Sequence, residues 1–232
     1  MAETNMAETK KAETKKDETK KDETSIAETN IVENGETPTL ASVHIMLPEA
    51  IDRRLERWTK KVPGASWPAW GGHITLIPNF RLRGTVEEAR AAITAVCVHE
   101  EPFLLRLNGP VAIQDMTRPD YYAVFLLVEE EDGGTERLHQ LRMALLADLA
   151  PLREDLRPEL LEQPFMPHVT LALGLGESEA ARLVRTLQAD PLVAEFMVEV
   201  VWLVVRTPKE DGRVERIPVP LGRVAPVELL RD

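Results

Sequence analysis

The chain has 232 residues, 44% of them apolar, and a single cysteine, Cys97. That length supplies one sizeable core or two small ones, and a lone cysteine excludes an intrachain disulfide. The net charge of −11 argues against a protein that grips long nucleic acid along its backbone, which needs a basic surface. No apolar run approaches the roughly 18 residues of a membrane helix. With no secretory leader, a cytoplasmic location is expected.

Residues 1–36 repeat an Ala/Asp-Glu-Thr unit every five residues, from Ala2, Ala7, Ala12, Asp17, Asp22 and Ala27. A helix turns about 100° per residue, so a period of five spreads around the surface and builds no apolar stripe. This low-complexity tail is expected to be disordered, with the folded domain over residues 37–232. Ser42–Leu47 alternates as a strand does, with His44 opposite Val43, Ile45 and Leu47. Pro48 suits the first turn of a helix that places Ile51, Leu55 and Trp58 on one face. The loop Pro63–Gly72 carries Trp67 and Trp70. His73–Ile77 reads as a strand, which Pro78 should end because proline cannot donate to a ladder. Thr85 and Glu88 form a capping-box pattern opening a helix to about Val98, where Cys97 reads as core. Phe103–Ile113 and Tyr121–Val128 read as strands. Thr135–Leu149 is a helix with Leu138, Leu141, Leu145 and Leu149 on its buried face. A strand from His168 to about Leu173 follows. Gly174-Leu175-Gly176 reads as a strand-to-helix turn, and Ser178 caps a helix carrying Ala180, Leu183 and Leu187. Phe196–Val205 and Val214–Val219 complete the sheet.

Two of these strands open on related tetrads, His73-Ile74-Thr75-Leu76 and His168-Val169-Thr170-Leu171. Alternation puts each His and Thr on one face and the apolar pair on the other. The stretches 73–130 and 168–221 both run tetrad strand, helix, strand, strand, which suggests an internal duplication. The expected fold is α+β: two pseudo-symmetric lobes of antiparallel-rich sheet, helices outside, with an active-site cleft between them.

Paired His-x-Thr-apolar tetrads in this context resemble the two-histidine phosphoesterases, in particular the RNA 2′-5′ ligase-like and cyclic phosphodiesterase branch. The resemblance covers roughly residues 40–223. Pro167 before His168 and the Leu47-Pro48 step after the first strand also fit it. Leu171-Ala172-Leu173 departs from it, being apolar where family members often carry a basic residue, and Gly71-Gly72 precedes the first tetrad in place of proline. The resemblance implies hydrolysis of 2′,3′-cyclic phosphates or 2′-5′ phosphodiesters of RNA ends or small nucleotides, with 2′-5′ ligation as the reverse. His73 and His168 would be the general acid and base, and Thr75 and Thr170 would hold the phosphate.

The chemistry of the residues agrees. Imidazole exchanges protons near neutrality, and hydroxyls donate to the oxygens that gather charge in the transition state. No cofactor or metal is expected, since two histidines without a convergent carboxylate or thiolate are a poor zinc set. The expected partner is an RNA terminus or small nucleotide bearing a cyclic phosphate, with no membrane partner and a monomeric protein. The alternative is a non-catalytic module on the same fold that binds RNA ends or nucleotides. Four further residues are candidate substrate contacts. His44 either lines the cleft or is an ordinary hydrogen-bonded histidine. Trp70 and Phe165 either stack on a base or pack the domain. Arg81 either meets phosphate or is a solvated surface arginine.

Overall fold

The computed structural model describes residues 38–63, 65–68, 70–115, 118–129, 133–206 and 214–222. The repetitive tail 1–36 lies outside them. In chain order the elements are β1 (Leu40–Met46), α1 (Glu49–Thr59), β2 (His73–Leu82), α2 (Val86–Cys97), β3 (Phe103–Gln114) and β4 (Tyr122–Val128). Then come α3 (Gly134–Asp148), β5 (Arg153–Asp155), the short α4 (Glu159–Glu162), β6 (His168–Leu175), α5 (Glu177–Ala189), β7 (Ala194–Val198), β8 (Val200–Arg206) and β9 (Val214–Pro220). None of these helices is long and apolar enough to cross a membrane.

The strands form one antiparallel sheet in the order β7-β3-β4-β6-β2-β1-β8-β9, with β5 also paired to β2. The two tetrad strands, β2 and β6, are central neighbours joined through Ile74 and Val169. Each is flanked by three strands on its own side, so the sheet has two lobes: β2-β1-β8-β9 and β6-β4-β3-β7. The lobes are not successive pieces of chain. The stretch 73–130 gives β2 to one lobe and β3 and β4 to the other, and 168–221 divides its strands likewise. The core is a single apolar cluster of alternate strand residues and helix faces, including Ile74, Leu76, Val169, Leu171 and the α3 leucines 138, 141 and 145.

The tetrad strands share more than their first four residues. Over eight positions their burial alternates identically, with His and Thr half-buried and the intervening residues inside. Both carry two bulges at the same offsets. Leu76 is the extra residue between Thr75 and Ile77 opposite β1, and Leu171 the extra one between Thr170 and Ala172 opposite β4. Further on, Pro78-Asn79 face one residue of β1, and Leu173-Gly174 face one residue of β4. A bulge takes a carbonyl out of the ladder, and a buried carbonyl needs a donor. Arg142 of α3 donates its Nε–H to the Leu76 carbonyl at 3.0 Å, and the Thr59 hydroxyl of α1 donates to the Leu171 carbonyl at 2.5 Å.

Four sequence expectations change here. Pro78 does not end its strand: β2 runs on to Leu82, because the bulge leaves the proline with no ladder bond to donate. Phe196–Val205 is two strands, not one. The buried phase moves from Ala194, Phe196 and Val198 to Val201, Leu203 and Val205, and the break at Glu199 sends β7 and β8 to opposite lobes. Ser178 is not a cap, since it lies inside α5. Gly176 occupies the N-cap, its N–H donating to the Glu179 carboxylate at 3.0 Å. Gly174 belongs to β6, where its φ of +74° meets the bulge. The Thr85–Glu88 capping box forms as read.

Candidate active site

Antiparallel pairing of Ile74 with Val169 sets His73 and Thr170 on one side of that pair and Thr75 and His168 on the other. Two imidazoles and two hydroxyls thus share the sheet face opposite the core. Both histidines are held in the same way. Nδ1 of His73 lies 2.8 Å from the Gly71 carbonyl, and Nδ1 of His168 lies 2.7 Å from the Met166 carbonyl. A carbonyl only accepts, so each Nδ1 carries the proton and donates. In the neutral ring Nε2 is then the free base. In the imidazolium it is the free acid.

Burial lowers the pKa of both rings from about 6.5. At His73 the Gly71 carbonyl opposes that effect, Arg216 adds to it and Asp52 works against it. At His168 the Met166 carbonyl opposes it and His73 adds to it.

What stands behind the two tetrads differs. Thr75 is paired across the sheet with His44, and Thr170 with Phe125. His44 is buried, 4% exposed, with Nε2 at 2.7 Å from the hydroxyl of Ser42, itself buried, and Nδ1 at 3.4 Å from the Thr75 hydroxyl. Burial above all, with the neighbouring His73, holds its pKa well below the usual value, so the ring is neutral. Its ring meets His73 edge-on at 4.6 Å between centroids. In the other lobe the Phe125 ring stacks on His168 at 3.9 Å and 21°.

Of the other candidates, Trp70 joins the site, its ring 5.7 Å from both His73 and His44. Arg81 is bound to Glu154 at 2.8 Å. Phe165 packs on the Arg142 guanidinium, 4.7 Å from its ring, and not on a tetrad histidine. Sequence reasoning missed Ser42, Phe125, Trp202 and Arg216. Ser42 alternates with His44 and was legible on that ground. The others reach the site only through strand pairing. Next to His73, Trp70, Trp202, Arg216, Asp52 and Gly72 line a cavity of about 240 Å³. Among the described residues no group of three or more His, Cys, Asp or Glu side chains is arranged to hold a metal ion.

Residues 47–210 match the family model described as the 2′-5′ RNA ligase superfamily. No curated protein matches the sequence. Among solved structures, the chain is similar to TT0787 of Thermus thermophilus, with 22% identity, 78% of this chain and 97% of that one covered, and a TM-score of 0.50. It also aligns with E. coli LigT complexed with 3′-AMP, at 20% identity, 81% and 100% coverage and a TM-score of 0.48. Kluyveromyces marxianus Usb1 aligns at 13% identity, 78% and 98% coverage and a TM-score of 0.46.

Proposed function

This chain belongs to the 2′-5′ RNA ligase superfamily, within the two-histidine phosphoesterases, and on that footing we propose that it hydrolyses 2′,3′-cyclic phosphates or 2′-5′ phosphodiesters of RNA ends or small nucleotides. The observation that carries this reading is the matched pair of Nδ1–carbonyl bonds, which leaves both Nε2 atoms available for proton transfer.

The phosphate sits between the two rings. One neutral histidine takes a proton from water as the water oxygen bonds to phosphorus. The other, as imidazolium, gives its Nε2 proton to the ribose oxygen as the phosphorus–oxygen bond breaks. Thr75 and Thr170 donate to the non-bridging oxygens, where charge accumulates. One proton is taken and one given, so no other acid or base is required. Ligation follows the same course with a 5′-hydroxyl in place of water: one histidine takes that hydroxyl's proton as its oxygen bonds to phosphorus, and the other protonates the 3′-oxygen as the cyclic ester opens, leaving a 2′-5′ linkage.

His44 acts through Thr75. With the Ser42 hydroxyl donating to His44 Nε2, the Nδ1–H of His44 points at Thr75 Oγ1, and the threonine's own proton is left for the phosphate.

The test is hydrolysis of nucleoside 2′,3′-cyclic phosphates in excess EDTA, with product analysis for 2′- or 3′-phosphate. His73→Ala and His168→Ala are each expected to lose about a hundredfold or more in kcat while circular dichroism stays native. Full activity in either variant would overturn the two-histidine reading. Tight nucleotide binding with no turnover would favour the binding-module alternative.

A further inference from the structure

The cavity beside His73 is lined by three charged residues, Glu49, Asp52 and Arg216, of which Glu49 is ion-paired with Arg53. Asp52 of α1 accepts the Gly72 N–H through Oδ1 and has no ion-pair partner among the described residues. Arg216 of β9, exposed, lines the same cavity and likewise makes no ion pair among them. Trp70 and Trp202, both half-buried, line it too. Gly71 has φ +90°, and a Cβ there would come within 3.2 Å of Asp52 Oδ1.

We infer that this cavity is a nucleobase subsite selective for guanine. Indole faces stack on any base and give no selectivity by themselves. The charged groups supply it. A carboxylate accepts only, and guanine is the one common base that presents two adjacent donors, N1–H and N2–H₂. Adenine and cytosine offer one donor beside a bare ring nitrogen, which a carboxylate repels. Uracil offers one N–H between two carbonyls. On the other side, a guanidinium is the natural donor to guanine O6 and N7. Aspartate and arginine in one stacked cavity therefore match both polar edges of the same base. The position next to His73 puts that base within reach of the phosphate proposed to lie between the histidines, so the substrate class becomes guanosine 2′,3′-cyclic phosphate or an RNA end bearing it. That last step rests on the phosphoesterase reading; the base preference does not.

The two are separable by experiment. Isothermal titration of the full chain with the 3′-monophosphates of guanosine, adenosine, cytidine and uridine reads the cavity without turnover. The guanosine nucleotide is expected to bind about tenfold or more tightly than the other three, since hydrogen bonds to charged groups are the strong ones. Asp52→Asn keeps an acceptor for Gly72 but puts an amide against the base, and is expected to bring the four affinities level. Arg216→Leu, at an exposed position whose side chain takes no part in the Gly72–Asp52 bond, gives a second variant and should weaken guanosine binding selectively. Equal affinities in the wild type, no measurable binding of the guanosine nucleotide, or a preference that survives both substitutions would overturn the inference. Guanosine selectivity without cyclic-phosphate turnover would overturn the phosphoesterase reading and leave this one standing.

Discussion

At the scale of single residues, proton placement decides what the site can do. Both tetrad histidines have lowered pKa values, with burial the leading cause. The profile of kcat/KM against pH, which reports the free enzyme, is therefore expected to be bell-shaped with its centre below about 6.5. A centre above 7 would show that the rings are not held as described. His44 gives a second prediction. His44→Phe would place in one lobe the side chain that Phe125 supplies in the other, filling the space but removing the link to Thr75. A loss of about tenfold in kcat with KM little changed is expected. Parallel losses in kcat and in thermal stability would mark His44 as merely structural. The lowered pKa of His44 also bears on stability. The unfolded chain takes up a proton near pH 6.5 that the folded one resists. Stability is thus full above that pH and falls as pH drops toward the depressed folded value, by up to about 1.4 kcal/mol per pH unit for this one group. Urea melts at pH 7 and 5.5, wild type beside His44→Phe, measure it. The four tetrad residues were legible because chemistry and period coincide in one short string. Phe125 and Trp202 were not, because in sequence they are ordinary strand residues and only pairing across the sheet brings them to a histidine.

At the scale of elements, the decisive features are the paired bulges. Each leaves one buried carbonyl, and each carbonyl is met by a helix side chain, Arg142 for Leu76 and Thr59 for Leu171. Thr59→Val keeps size and removes the donor, so it is expected to cost about 1–3 kcal/mol in urea unfolding. Thr59→Ser, which retains the hydroxyl, should cost less. Gly174→Ala forces a side chain into positive φ and should cost about 1–3 kcal/mol. The sequence carried some of this. Pro78 announced an irregularity, read as a strand end when it was a bulge. The change of apolar phase across Glu199 was visible too, but a continuous apolar run hid it. Nothing local marks the bulges at Leu76 and Leu171, since both residues are simply apolar and buried.

At the scale of the whole molecule, the chain weaves between its lobes. The strand after α2 joins the lobe of β6, and β8, after α5 and β7, joins the lobe of β2. Neither lobe is a contiguous segment, and one apolar cluster runs through both. Chemical unfolding followed by Trp fluorescence and by far-ultraviolet circular dichroism is expected to give coincident single transitions. Two separated transitions would mean that the lobes fold independently. The same weaving bears on how a ligand enters. Jaw-like closure needs two bodies joined by a few hinge residues. Here strands are exchanged and one apolar cluster runs through both lobes, so the site is expected to meet its ligand already shaped and to discriminate by what fits rather than by what it can be made to grasp.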